Sequence, residues 1–176
     1  MAFGGFSALA TSSHDVSYVG GKLRAAYLLG IGDWYLKPLL DINATRPSLG
    51  GFTETGAGGA NLVVGSTDKT VLSASPALEI GAKWALSPSM LLRPYVRGGA
   101  TFYSHTDFGV TTTFSGTPSG VAGFTTTTSI DRVVADVSAG ADLFVAGDTA
   151  LKFNYDGQLG ETIRQHSVGG RASFRF

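Results

Sequence analysis

The chain has 176 residues, 13 basic against 13 acidic side chains and no cysteine. It is long enough to bury one sizeable domain, shows nucleic acid no basic patch, and carries neither disulfides nor thiolate metal sites. Charged residues make up 15% and there are 25 glycines, a balance poor in charge and rich in Gly that suits closely packed strands with one face turned to something other than water.

The amino terminus has no basic region followed by a sustained apolar run, so no signal peptide is legible there. No stretch approaches the twenty or so apolar residues of a spanning helix. If the chain enters a membrane it does so as a barrel, and as a piece of a longer precursor that carried the export signal.

Strand-like runs punctuated by Gly, Pro, Asp and Ser follow one another along the chain. A short, weakly patterned run spans Phe3 to Ala10 and turns at residues 11–15. The next, Val16 to Leu29, sets Val19, Leu23, Ala25, Tyr27 and Leu29 against Lys22 and Arg24. After Gly30 to Asp33, Trp34, Leu36, Pro38, Leu40 and Ile42 alternate with Tyr35, Lys37, Asp41 and Asn43. Pro38 removes a ladder donor and predicts an edge or a bulge.

A loop is expected at Arg46 to Phe52, then a Gly-rich strand from Glu54 to Val64. Its glycines miss the spacing of a dinucleotide loop, and no helix follows to receive a phosphate. Beyond the turn at residues 66–69, Leu78, Ile80, Ala82, Trp84 and Leu86 alternate with Glu79, Gly81 and Lys83. Ser87-Pro-Ser turns the chain, and Leu92, Pro94, Val96, Gly98, Ala100 and Phe102 then alternate with Arg93, Tyr95, Arg97 and Gly99.

Ser104 to Ser129 is rich in Thr, Ser and Gly and reads as one large loop with room for a hairpin extension. Alternation returns from Val133 to Val145, with Asp136, Ser138, Gly140 and Asp142 on the polar side. A tight turn at residues 146–148 leads to Leu151, Phe153 and Tyr155, which oppose Lys152, Asn154 and Asp156. Gly157 to Gln165 reads as a polar loop. The last strand, Val168 to Phe176, places Val168, Phe174 and Phe176 opposite Arg171 and Arg175.

Alternation alone fits a soluble sandwich as well as a membrane barrel, which turns its apolar face outward and its polar face to a wet lumen. Three features favour the barrel. Trp34, Tyr27, Trp84, Phe102, Phe153 and Tyr155 stand near strand ends, where rings settle at membrane interfaces. The opposite face carries both signs, with Lys37 and Asp41, and Glu79 and Lys83, spaced to pair. Turns are short at residues 87–88 and 147–148 and long at 104–129, matching short periplasmic turns and long outer loops.

The succession Gly21-Lys-Leu-Arg-Ala-Ala-Tyr, Gly32-Asp-Trp-Tyr-Leu-Lys-Pro-Leu-Leu-Asp, Glu54-Thr-Gly-Ala-Gly, Pro76-Ala-Leu-Glu, Leu92-Arg-Pro-Tyr-Val-Arg and Ala139-Gly-Ala-Asp-Leu resembles the carboxy-terminal translocator domain of autotransporters, the type V secretion proteins. The resemblance covers nearly the whole chain. It implies an all-β, antiparallel, up-and-down transmembrane β-barrel, partial or complete, with a polar lumen and an apolar outer face. It further implies a place in the bacterial outer membrane, an amino-terminal passenger carried to the cell surface, and a terminal Ser-Phe-Arg-Phe in which Phe174 and Phe176 serve as the assembly signal read by the barrel assembly machinery.

Such barrels have twelve strands, against roughly nine runs here, odd for a bacterial barrel. Residues 1–176 are therefore expected to be one translocator domain that starts part-way round the barrel.

Lys37, Asp41, Glu79, Lys83, Arg93, Arg97, Asp142, Lys152, Arg171 and Arg175 are expected to form a lumenal pairing network. The alternative is an outer-membrane barrel with enzymatic or adhesive activity at its outer rim, where His105 and Asp107 share a face. No catalytic residue, metal site or cofactor is predicted. His14 and His166 are expected near turns, without the clustered ligands a metal needs, and Gly116 to Gly120 has the wrong spacing for a nucleophile elbow. The partners expected are outer-membrane lipid, the assembly machinery and the chain's own passenger, with no nucleic acid.

Overall fold

A computed structural model describes residues 2–3, 6–145 and 149–174. The turn at 146–148, and Arg175 and Phe176 of the expected charge network and assembly signal, lie outside the described residues. In chain order the strands are β1 (Ala2–Phe3), β2 (Phe6–Ser7), β3 (Val16–Ala26), β4 (Leu29–Ile31), β5 (Trp34–Leu49), β6 (Phe52–Thr53), β7 (Leu62–Val64) and β8 (Thr67–Asp68). They continue as β9 (Val71–Ala82), β10 (Trp84–Ser87), β11 (Met90–Tyr103), β12 (Asp107–Phe114), β13 (Phe124–Ser129), β14 (Val133–Val145), β15 (Thr149–Leu159) and β16 (Arg164–Ser173). One short 3-10 turn, Gly58–Ala60, interrupts them. The all-β, antiparallel class expected from the sequence is the class observed.

Two compact units share these elements. The first comprises Met1–Gly21, Ala44–Val71 and His105–Ile130, and the second Lys22–Asn43, Leu72–Ser104 and Asp131–Phe176.

The second unit is built on the strand order β16-β15-β14-β11-β9-β5-β3, with β4 beside β5 and β10 beside β11. Its ladders are long and regular: β11 and β14 stay in step from Met90↔Val145 to Phe102↔Val133, and β14 and β15 from Ala135↔Leu159 to Val145↔Thr149. Two-residue turns at Gly32-Asp33 and Pro88-Ser89 reverse the chain, and Gly32 takes φ 60°, where a side chain would be strained. Pro38 sits inside β5 rather than at an edge. The neighbouring strand is interrupted where the proline lacks a donor, between Ala26 and Leu29, and Tyr27 N–H still donates to the Pro38 carbonyl at 3.1 Å.

In the first unit, β13-β12-β7-β6 form a four-stranded sheet, β1 and β2 a hairpin, and β8 pairs with the end of β5 through Ser48↔Asp68 and Leu49↔Thr67. The expected loop from Arg46 is instead the continuation of β5 to Leu49, where Arg46 pairs with Asp68. The Gly-rich stretch is not one strand. Gly56 (φ 102°) and Gly58 (φ 57°) break it between β6 and β7, and the Glu54 carboxylate accepts the Leu62 N–H at 2.9 Å to close the bend. The large loop contains the β12–β13 hairpin, as its Thr-rich composition allowed.

The polar loop expected from Gly157 also differs. β15 runs on to Leu159 and β16 begins at Arg164, so four residues connect them and His166 lies within a strand. Asp156, Gln158 and Gln165 belong to a polar sheet face, and polarity there reflects that face rather than a loop.

Candidate functional site

In the second unit the usual division of polarity is inverted. Asp41, Glu79, Asp131 and Ser138 are buried, whereas Leu78, Ile80, Trp84, Val96, Phe102, Val137 and Phe153 are exposed. Val96 at the middle of β11 is 58% exposed and Glu79 on the adjacent β9 is 7% exposed. Side chains alternate across a strand, so one face of each strand feeds the interior and the other meets the surroundings.

Polar side chains from all seven strands line one cavity of about 370 Å³, among them Arg24, Asp41, Ser75, Arg97, Ser138, Asp156 and Ser167. Around it the carboxylates are held by neighbouring strands. Arg24 donates to both oxygens of Asp41 at 2.6 and 2.5 Å, and Lys22 lies 3.0 Å from the same carboxylate. Asp136 accepts from Thr101 at 2.7 Å and from Gln158 at 3.0 Å. Asp156 accepts from Ser138 and Asn154, each at 2.7 Å, while Arg97 donates to Ser138 at 2.8 Å and stands 3.7 Å from Asp156.

A second cavity of about 410 Å³ adjoins Tyr35, Lys37, Glu79, Arg93, Tyr95 and Asp142. There Glu79 accepts from Tyr35 at 3.0 Å and from Lys37 at 2.9 Å. Lys152 reaches Asp142 at 3.2 Å. Arg93 lies 5.7 Å from the centre of the Phe144 ring, close enough for a cation–π contact.

The pairs therefore run between strands, not along one. Lys37 pairs with Glu79 instead of Asp41, and Asp41 pairs with Lys22 and Arg24, which the same alternation had put on this face. Lys83 is exposed between β9 and β10, where its backbone N–H donates to the Asp33 carbonyl at 2.7 Å. Arg171 lies directly opposite Lys152 in the β15–β16 register, and Phe174 is exposed just past the end of β16. Tyr35, Asp136, Asp156, Thr101 and Ser138 complete the arrangement. Cross-strand register decides such partners, and one strand's spacing does not contain it.

At the ends of the strands, Asp131 makes a tight clasp on the β15–β16 connection. Its carboxylate accepts the Thr162 hydroxyl at 2.6 Å and the N–H groups of Thr162 and Ile163 at 3.0 and 3.1 Å. The Thr162 hydroxyl and then these N–H groups hold Asp131 below the usual carboxylate range.

The histidines are dispersed. His14 stacks on Phe52 with ring centres 4.8 Å apart, and His166 Nδ1 lies 2.7 Å from the Tyr155 hydroxyl. Asp107 accepts the Ser129 hydroxyl at 2.7 Å. Among the described residues no group of three or more His, Asp or Glu converges to hold a metal.

An antiparallel sheet that gathers its ions around a polar cavity and shows its alkyl and aromatic side chains to the outside is the wall of a membrane β-barrel, since a bilayer rewards that polarity and water penalises it. Within that class the sequence identifies a family: the autotransporter beta-domain model matches residues 1–156, and the chain belongs to it. No curated protein and no solved structure matches the chain. Membership implies a bacterial outer-membrane location and a translocator role in type V secretion rather than a catalytic one.

Proposed function

We propose that residues 1–176 act as one translocator domain that anchors an amino-terminal passenger in the outer membrane and helps carry it to the cell surface, without catalysis or a cofactor. The observation that carries this reading is the inverted polarity, with Val96 exposed to 58% beside a Glu79 that is 7% exposed. Lipid covers the outer side chains, and the interior stays wet enough for an extended polypeptide.

In this reading Lys37, Asp41, Glu79, Lys83, Arg93, Arg97, Asp142, Lys152, Arg171 and Arg175 hold the wall in shape as a pairing network. Phe174 and Phe176 present the last strand to the barrel assembly machinery. The outer edges of β3 and β16 need backbone partners in lipid, and further strands of the same polypeptide would supply them.

The test is export. A reporter placed upstream of the β-domain in the whole polypeptide, behind a secretion signal, is expected to become sensitive to external protease in intact Gram-negative cells. A reporter that stays in the periplasm while the β-domain is membrane-inserted and heat-modifiable would overturn the proposal.

A further inference from the structure

The four-stranded sheet of the first unit ends on β13, whose six residues Phe-Thr-Thr-Thr-Thr-Ser are all exposed. β12 occupies its inner edge from Asp107↔Ser129 to Thr112↔Phe124. Along its outer edge, among the described residues, no strand is paired. Sheet proteins ordinarily protect such an edge with lysine, proline, a bulge or a covering loop. β13 has no charge, no proline and an unbroken register, and its four successive threonines favour the extended form.

We propose that the outer edge of β13 is a self-association surface, on which β13 of a second copy of this chain adds as an antiparallel strand. The strand's own sequence selects that occupant. A threonine run reads alike in both directions, so a two-fold axis through Thr126 sets Thr125 against Thr127 of the second copy and Phe124 against its Thr128. That symmetry is what a closed homodimer interface requires.

The faces agree as well. Thr111, Thr125 and Thr127 lie on one side of the hairpin, and Phe108, Val110 and Phe124 on the other. An axis normal to the sheet continues each side into its like. Charge points the same way: two uncharged edges meet without repulsion, whereas a strongly charged strand would lose hydration and find no counter-ion.

Because the chain contains no cysteine, Thr126→Cys in the full chain, purified in detergent, places a single thiol at the axis. Mild oxidation is expected to give a species of twice the monomer mass. Ser119→Cys, at the exposed tip of the same hairpin, is expected to cross-link far more slowly, and adding Thr127→Lys to Thr126→Cys should abolish the product through repulsion across the axis. Retained heat-modifiable migration shows that each variant is folded. Equal cross-linking of Thr126→Cys and Ser119→Cys, or a Thr126→Cys product that survives Thr127→Lys, would overturn the proposal. So would a folded unmodified chain that stays monomeric at every concentration tried.

Discussion

The ring of Tyr35 lies across Gly81, so closely that a β-carbon added to the glycine would overlap the ring at Cζ. From that position the Tyr35 hydroxyl reaches Glu79 at 3.0 Å. Tyr95 repeats the arrangement over Gly140, where an added β-carbon would come within 2.7 Å of the ring. Each glycine leaves a gap in the sheet's inner surface that a tyrosine from the neighbouring strand fills.

Gly81→Ala and Gly140→Ala should therefore each cost about 1–3 kcal/mol by overpacking. Gly98→Ala serves as the control, since its added β-carbon meets nothing within 4 Å. The midpoint of thermal conversion of the folded band in detergent gels measures all three. Equal midpoints for Gly81→Ala and Gly98→Ala would show that the tyrosine moves aside freely.

Asp41 accepts from two nitrogens of the Arg24 guanidinium, Nε and one Nη, and pairs with the ammonium of Lys22. Asp41→Ala removes the common acceptor and should cost about 1–3 kcal/mol. Lys22→Ala should cost no more than about 1 kcal/mol, because that lysine side chain is 53% exposed. Urea unfolding of both variants in micelles decides the order.

On the opposite face, Val96→Arg puts a charge into the apolar surface midway along β11. A cost of about 2–4 kcal/mol is expected if that depth lies near the bilayer midplane. Folding yield into lipid vesicles is the measurement, with Leu72→Arg near the start of the adjacent β9 expected to be milder.

For the clasp, the folded carboxyl of Asp131 titrates below its unfolded value. The clasp's contribution is complete above the ordinary carboxylate pKa of about 3.9 and declines as the pH drops through the lower folded value. Amide exchange at Thr162 and Ile163, corrected for intrinsic rates, should accelerate only in that acid window. Asp131→Asn should show fast exchange at neutral pH. Gly160→Ala should do the same, since its β-carbon would collide with an Asp131 carboxylate oxygen.

The long strands were legible because Trp34 to Ile42 and Val133 to Val145 largely alternate, with Leu39, Val134 and Phe144 the apolar exceptions on the polar side, and aromatics accompanying the apolar side signal the inverted polarity. The run from Leu78 to Leu86, by contrast, is two strands, broken at Lys83 between β9 and β10. Connections were harder. Asp156, Gln158 and Gln165 are polar because they face the interior, and composition alone cannot separate that from a loop. Ion partners were least accessible. Lys37 and Asp41 share a strand and a face, yet each finds its partner across a ladder, where register decides.

The two flanks of the larger sheet carry unlike charge contacts. Both flanks are hydrogen-bonded to their neighbours; β3 adds to its pairing with β5 the Arg24 and Lys22 contacts with Asp41, whereas β16 meets β15 along a ten-pair ladder in which Arg171 faces Lys152. Ionic strength loosens exposed pairs and relieves like-charge opposition. Raising it should weaken the β3 flank while relieving the β16 one, giving the wall a directional bias that electrolyte alone can reveal.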